Sequence, residues 1–489
     1  MSPNGEPEFV IETGRIRIMT TYLDRLIEDP TSFHDAPYDL AFTLEQEEID
    51  RLHLAGARKR FAQLRPGLSV LDRLAREQGI ETIETIDDLA PLLFPHTVYK
   101  SYPISYLERG RFDKLTKWLS GLTTSDISHV DASGIETIDD WIDLLDAATD
   151  LTVQHTSGTT GKLSFVPRSK AQWRETIIHS AIIIRDWWPE RGPDILKDGM
   201  PIIIPGYRYG AAATQRGNGI QIELYAKGEE NALFLYPESR FSADIASLGG
   251  RLRAAEARGE AGALAISPAL AERREALLEL ERRRPEDLKH FFAEAQRRFG
   301  GKDVYATAMW AILYDWAEEG LKRGLTNVFG KGSVLLTGGG NKGKELPDNW
   351  RERVLEFLGF DTIYEMYATS ELMGLCMMCE QGHYHIPPIQ IPFLLDPATG
   401  KPLPRKDGQT GRYASFDLMP NTYWAGLVTG DEITLSGWQT PCSCGRTGVH
   451  IIPPVRRYSE KEGGDDRVVC AGAPEAHDRA LEFLAELSM

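Results

Sequence analysis

The stretch Val153–Lys162, reading Val-Gln-His-Thr-Ser-Gly-Thr-Thr-Gly-Lys, constrains this chain more than any other part of it. Hydroxyl residues, two glycines and a lysine follow a short apolar approach. Glycines let successive backbone N–H groups turn toward one anion, and hydroxyls and an ammonium add further donors. A Walker loop needs four residues between its glycines and a Ser or Thr after the lysine. Here only Thr159 and Thr160 separate Gly158 from Gly161, and Leu163 follows Lys162. A polar Gly/Thr turn without a task uses the same residue types. The density of donors from Thr156 to Lys162 favours instead a phosphate loop of another type.

The surroundings of that loop predict an α/β fold. The middle of the chain alternates short apolar runs with helical stretches, and Pro201–Pro205 and Ser333–Thr337 have the character of buried strands. Residues from about 17 to 150 read as helices and connectors. The phrase Gly-Ile-Glu-Thr-Ile occurs at Gly79–Ile83 and again at Gly134–Ile138. Thr85 and Thr137 then cap helix starts whose first turns carry Asp87-Asp88 and Asp139-Asp140, acids favoured by the helix dipole. No third copy follows, so this is one local solution used twice and not a repeat architecture. Arg251–Phe299 is charged and helical, with Pro268 and Pro285 as expected breaks and an outer position. From Phe360 the pattern turns to strands: Thr362–Tyr367, His385–Leu395, Tyr413–Leu418 and Gly426–Leu435. The segment Gly463–Met489 reads as a Gly/Asp turn and one short helix.

Composition narrows the partners. The 489 residues hold 55 basic against 72 acidic side chains, a formal charge of -17. Such a balance argues against nucleic acid or an anionic membrane as the main partner. The apolar runs Ile182–Ile184 and Ile202–Ile204 are far too short to span a bilayer. Met1–Pro7 is polar and acidic, without a signal-peptide core. Five cysteines, an odd number, suit reduced thiols in a cytoplasm better than a disulfide framework.

The Thr156–Lys162 motif resembles the phosphate loop of the adenylate-forming superfamily, which includes acyl-CoA synthetases, firefly luciferase and nonribosomal peptide adenylation domains. Later segments fit that family in its order. Gly338-Gly339-Gly340 stands where the small-residue nucleotide loop is found. Tyr367-Ala368-Thr369-Ser370-Glu371 resembles its Tyr-Gly-x-Thr-Glu, with Ala for Gly and Ser for Thr. Thr429-Gly430-Asp431 resembles its Thr-Gly-Asp, and Gly445-Arg446 its Gly-Arg. Each short match is weak alone; in order, across roughly residues 90 to 450, they carry weight together.

The resemblance implies a large adenylate-forming domain of helix-flanked mixed sheets with a β-rich subdomain. It also implies roles. Thr156, Ser157, Thr159, Thr160 and Lys162, on the loop shaped by Gly158 and Gly161, would hold the β- and γ-phosphates of ATP. Glu371 would hold Mg²⁺, a hard cation suited to carboxylate oxygens. Ser370 would touch the α-phosphate and Tyr367 would lie along the adenine. Asp431 would accept from the ribose hydroxyls, and Arg446 would help hold the ribose. Lys162, Glu371 and Ser370 would then be catalytic. The implied reaction joins a small carboxylic acid to AMP with release of pyrophosphate, and CoA, a carrier or a partner protein would take the acyl group. The acid itself is not legible; Gly206–Ala213, with Tyr207 and Tyr209, is one candidate wall for its pocket and equally an ordinary packing segment.

The cysteines point to a metal. Cys376 and Cys379 form a C-x-x-C, His383 and His385 follow, and Cys442 and Cys444 form a C-x-C. Six candidates exceed the four ligands of tetrahedral zinc. Spacing does not choose between His383 and His385, which share a face if the segment is a strand. The set taken is Cys379, His385, Cys442 and Cys444, with Cys376 the first substitute; buried inert thiols are the competing reading. Four protein ligands make the role structural. Cys442-Ser443-Cys444-Gly445-Arg446-Thr447-Gly448 also resembles the Cys-x-Cys-Gly-Arg-Thr of phenylacetate-CoA ligase-like enzymes and acyl-protein synthetase relatives.

One departure from the family stands out. Full-length members carry a small lysine-bearing domain after the Gly-Arg hinge, whereas here the last lysine is Lys461 and Asp465-Asp466-Arg467-Val468-Val469 resembles only a remnant of the usual passage. The expected divisions are therefore 1–150, a mostly helical part of the large domain, 151–450, the core with the phosphate loop and a β-rich zinc-bearing part, and 451–489, a short C-terminal remnant. A chain so reduced would need a resident cation, with Lys342 and Lys344 as candidates, or a partner protein. The alternative to an enzyme is a catalytically weak nucleotide-binding subunit.

Overall fold

β-Branched and aromatic runs bounded by Gly or Pro become the strands of this protein, and the charged stretches between them become helices. The computed structural model describes residues 22–35, 38–156, 162–188, 190, 192–257, 268–338, 346–360 and 363–460. The strands in chain order are β1 Phe94–Pro95, β2 Leu151–His155, β3 Phe165–Ser169, β4 Ile202–Gly210, β5 Ala232–Phe241, β6 Tyr305–Thr307 and β7 Val334–Gly338. They continue as β8 Ile363–Tyr367, β9 Cys376–Met378, β10 Tyr384–His385, β11 Gln390–Leu395, β12 Gln409–Asp417, β13 Gly426–Ser436 and β14 His450–Arg457. The chain is α/β. Among the described residues no helix is long and apolar enough to cross a membrane.

Contacts group the described residues into two units, one of residues 97–371 and one of residues up to His96 together with those from Leu372 onward. In the first, β8, β7, β6, β4 and β5 lie side by side with every pair parallel. Parallel strands are covered on both faces, which is why Ile202-Ile203-Ile204 and Val334-Leu335-Leu336 are continuous apolar runs. Helices Pro268–Phe299, Trp310–Lys322 and Trp350–Leu358 pack beside them through Phe291, Phe299, Trp316 and Phe357. Pro285 does not break its helix, contrary to the sequence expectation. The helix is not wholly external either: Phe291, Ala295 and Phe299 are buried. A proline inside a helix costs about 3 kcal/mol, and burying two phenylalanines recovers about as much or more. Pro268 stands at the helix start, where its missing N–H is harmless.

Both threonine caps form. Thr85 and Asp88 make a reciprocal capping box on the 3-10 helix Ile86–Leu92, and the Thr137 hydroxyl accepts from the Asp140 N–H at helix Ile138–Ala148.

In the other unit β11, β12, β13, β14, β10 and β9 form an antiparallel succession, with β1 parallel to β13. The expected strand His385–Leu395 is two strands. Ile386–Ile389 between β10 and β11 contains Pro387-Pro388, and prolines lack the N–H a ladder needs. Helix Gln46–Leu64 is fastened to this β-rich part by polar anchors as well as by burial. Arg60 donates twice to the Leu418 carbonyl, and His53 Nε2 lies 2.9 Å from the Pro388 carbonyl. Burial pushes the His53 pKa down to about 4, so the ring is neutral at ordinary pH.

Candidate functional site

Two groups of predicted residues take on definite geometry, one in each unit. The first begins with the hairpin β2–β3. The strands pair antiparallel from Leu151↔Ser169 to His155↔Phe165, so the loop between them leaves and re-enters at one neck. Thr156 closes that neck: its N–H donates to the Ser164 carbonyl at 3.2 Å and its hydroxyl accepts from the Ser164 N–H at 3.1 Å. Ser157, Gly158, Thr159, Thr160 and Gly161 lie outside the described residues. Lys162 stands at the far side of the neck. Its ammonium donates to the carbonyls of Lys100 and Tyr102 and lies 5.1 Å from the Tyr102 ring centroid. Burial, then the charge of Lys100, lowers its pKa.

The hairpin is clamped from several sides. His155 N–H donates to the Ala211 carbonyl at 2.9 Å. Arg216 donates to the Val153 carbonyl and pairs with Asp146 at 2.6 Å. Toward Ser370 the clamp comes from two side chains of the hairpin itself. The Gln154 amide donates to the Ser370 carbonyl, and Arg168 Nη2 donates to the same oxygen at 3.2 Å. Both donors are buried, and the Arg168 guanidinium lies 4.7 Å from the Trp173 ring centroid. Segments more than 200 residues apart in sequence thus meet: the flanks of the donor-rich loop and the Ser370-Glu371 dipeptide.

That dipeptide follows β8, which ends at Tyr367. Tyr367 and Ser370 are half-buried, and Glu371 is 9% exposed. β8 pairs in parallel with β7, placing Gly338 beside Met366. A Cβ on Gly338 would stand 2.6 Å from the Met366 carbonyl oxygen, so only glycine allows this approach. Gly339, Gly340, Lys342 and Lys344 lie outside the described residues, as do Lys461 and Gly463–Met489. In β4, Tyr207 packs in the core against Tyr236 and Phe241, whereas Tyr209 is exposed under Arg208.

The second group lies in the β-rich unit. Cys379 sits on the turn that joins β9 to β10, where its N–H donates to the His383 carbonyl and Gly382 adopts φ 74°. Cys442 and Cys444 sit on another tight turn, closed by Gly445 N–H to the Cys442 carbonyl at 2.9 Å. Thr447 fastens this turn to the Phe42 carbonyl through both its N–H and its hydroxyl. One ligand atom from each of Cys379, His385, Cys442 and Cys444 lies within 4.8 Å of the others. His385 Nε2 is 3.3 Å from Cys444 Sγ. Burial, with His450, Arg446 and His383 adding, lowers the His385 pKa to about 3, which keeps the ring a neutral donor of a lone pair. Burial pushes the Cys442 thiol up to about 12, so an ion-free cluster holds it as S–H. A bound cation reverses that preference by binding the thiolate.

Cys376 is held elsewhere. Its thiol lies 3.5 Å from Gln390 Oε1 in a buried network with Asp417, and burial raises its pKa. His383 Nδ1 is 3.3 Å from Cys442 Sγ, and the His383 and His450 rings stack 4.9 Å apart. His450 had no place in the sequence reading. The signal was a histidine six residues past the C-x-C, visible only once β14 is known to pair with β10.

Asp431 and Arg446 belong to the same β-rich unit. Asp431 lies on β13, 5% exposed, with its N–H on the Thr429 hydroxyl and Arg457 3.5 Å from its carboxylate. Arg446 pairs with Glu380 at 3.1 Å.

No family model matches the chain, and no curated protein matches it. Among solved structures it is similar to an open conformation of 2-hydroxyisobutyryl-CoA ligase in complex with 2-HIB-AMP and CoA. That likeness has 15% identity and a TM-score of 0.49 over 86% of this chain and 72% of the other. It is also similar to ATP-bound MatB from Rhodopseudomonas palustris, at 15% identity and a TM-score of 0.33 over 61% of this chain and 47% of that one. The amide bond synthetase McbA from Marinactinospora thermotolerans gives 15% and 0.33 over 62% and 49%. The chain thus spans about half the length of the last two.

Proposed function

We propose that this chain activates a carboxylic acid with ATP, forming an acyl-adenylate and pyrophosphate. The observation that carries the reading is the double anchor of Gln154 and Arg168 on the Ser370 carbonyl. It ties the flanks of a donor-rich loop to the residue that precedes the buried Glu371, and a donor-rich loop and a carboxylate are the pair of features a metal–polyphosphate substrate needs. Lys162 and the loop hydroxyls would hold the β- and γ-phosphates, and Ser370 the α-phosphate. Glu371 fits Mg²⁺ by its chemistry, a buried hard-oxygen ligand; the ion would neutralise phosphate charge.

A carboxylate oxygen of the acid attacks the α-phosphorus, the bond to the β-phosphate oxygen breaks, and pyrophosphate leaves with that electron pair. No proton moves and no protein nucleophile is required. Both reactants are anionic, so catalysis rests on positioning and charge neutralisation. In the β-rich unit, Cys379, His385, Cys442 and Cys444 would hold one zinc ion in a structural role, with no open position for catalysis.

The test is ATP–pyrophosphate exchange with the purified chain over aryl, short-chain and long-chain acids. Exchange that depends on one class of acid is expected. Absence of exchange and of acid-dependent pyrophosphate release across the whole panel, with ATP still bound, would leave only the nucleotide-binding alternative.

A further inference from the structure

One tetrahedral ion accounts for four of the groups gathered at the two cysteine turns and leaves two histidines over. His383 and His450 both face Cys442: one ligand atom from each of the three lies within 4.8 Å of the others. We propose that this is a second metal site, in which His383, His450 and Cys442 bind a divalent ion and the Cys442 thiolate bridges it to the ion held with Cys379, His385 and Cys444. The inference rests on the reading of that first ion.

The geometry suits it. Zinc–nitrogen and zinc–sulfur bonds of about 2.0 and 2.3 Å at tetrahedral angles put N and S roughly 3.5 Å apart. The separation of His383 Nδ1 from Cys442 Sγ is 3.3 Å, the same as that of His385 Nε2 from Cys444 Sγ. Backbone pairing builds the arrangement. His385 and His450 are direct partners in the β10–β14 ladder, which brings two imidazoles to one place, and His383 lies two residues back along the same face as His385.

The three imidazoles lie close together. The His383 and His450 rings stack at 16°, the His385 and His450 centroids are 5.3 Å apart, and His385 and His450 are buried. Two divalent ions would draw on the lone pairs of three imidazoles and the charge of three thiolates. Three thiolates against two such ions leave a net charge of about one, whichever ions bind. Thiolate and imidazole together select zinc, cobalt and similar borderline ions over magnesium or calcium.

The two sites differ in access. Cys379, His385 and Cys442 are buried, whereas His383 is only half-buried. Three protein ligands leave the second ion a fourth position for water, so it exchanges faster than the first.

The experiment is a titration of the full-length, reduced, metal-depleted chain with Co²⁺ alone, followed by its visible absorption, and a parallel zinc count after equilibrium dialysis. Two equivalents are expected, with tetrahedral cobalt bands still growing between the first and the second. His383→Ala and His450→Ala should each fall from two equivalents to one and keep the thiolate–cobalt bands of the first ion. Cys376→Ala should keep two. A wild-type count of one overturns the second site and leaves the first. A count of zero overturns both. A count of two that His383→Ala does not lower shows the second ion bound elsewhere, and the proposal is then wrong.

Discussion

The β2–β3 hairpin and the cysteine–histidine cluster bring their side chains together by opposite routes. In the hairpin the donors come from one contiguous stretch, whose ends are held by tertiary contacts: Thr156 closes the neck and Lys162 is pinned to the carbonyls of Lys100 and Tyr102. In the cluster every turn contributes a little. Cys379, His385 and the Cys442–Cys444 pair come from three separate places in the chain, and none has a neighbour in sequence that completes a site. The β2–β3 pairing that frames this stretch does not depend on any one of its side chains. A convergent cluster loses the reason for its shape with its ligand. Damage to the hairpin should therefore appear in turnover, and damage to the cluster in stability.

The largest effect should follow Cys442→Ser with Cys444→Ser. Metal content should fall to none, with a stability loss of several kcal/mol, roughly 10 °C or more in thermal midpoint, since ion binding stabilises only the folded state. Chelation of the wild type should reproduce the shift. Calorimetry that finds the double variant and the chelated protein as stable as wild type would break the comparison on this side.

On the hairpin side Lys162→Ala and Glu371→Gln should each lower acid-dependent pyrophosphate release by about two to three orders of magnitude, the usual cost of a lost charge-stabilising contact. Their midpoints should move by much less than in the cysteine pair. Wild-type rates in both variants would remove the catalytic reading of this region.

Arg168→Met probes the join between loop and acid. It removes a charged donor to the Ser370 carbonyl, an interaction worth about 1.5–3 kcal/mol. It should therefore lower stability modestly and turnover about tenfold together, in contrast to the clean separation expected elsewhere. Urea unfolding and steady-state rates on one preparation decide this. A change in stability with an unaltered rate would mean that the anchor serves the fold alone.

The smallest lever is pH. Asp244 accepts from the N–H groups of Ile138 and Asp139 at the start of helix Ile138–Ala148. Burial, then the charge of Asp139, raises its pKa to about 6. The folded state therefore binds this proton more tightly than the unfolded chain, so the stabilisation is present at low pH and is lost as pH rises from about 4 to about 6. Asp244→Asn removes this dependence. Relative to wild type, the variant should gain about 1–2 kcal/mol between pH 4.5 and pH 7 in urea unfolding. A constant difference across that range would contradict the titration.

Much of this was legible in the linear chain. The density of donors from Thr156 to Lys162, the apolar runs at Ile202 and Val334, and the capping threonines Thr85 and Thr137 are local patterns. Local patterns survive folding, because backbone geometry and side-chain periodicity act over a few residues. The linear chain offers Cys379 with Cys376 as its substitute, and the structure gathers only Cys379 with Cys442, for a reason no short stretch holds. Cys376 lies on β9 and points toward Gln390, while Cys379 lies on the turn.

What only the tertiary structure decided is which distant residues share a place. It carried the helix Pro268–Phe299 through Pro285, because burial of Phe291 and Phe299 outweighs a local defect. It split His385–Leu395 at the prolines, paired His385 with His450, and set Gln154 and Arg168 on the carbonyl of Ser370. The sequence by itself determined the elements and the chemical types available. Their convergence depends on strand register and on burial summed over hundreds of residues, and neither is a property of any short stretch of chain.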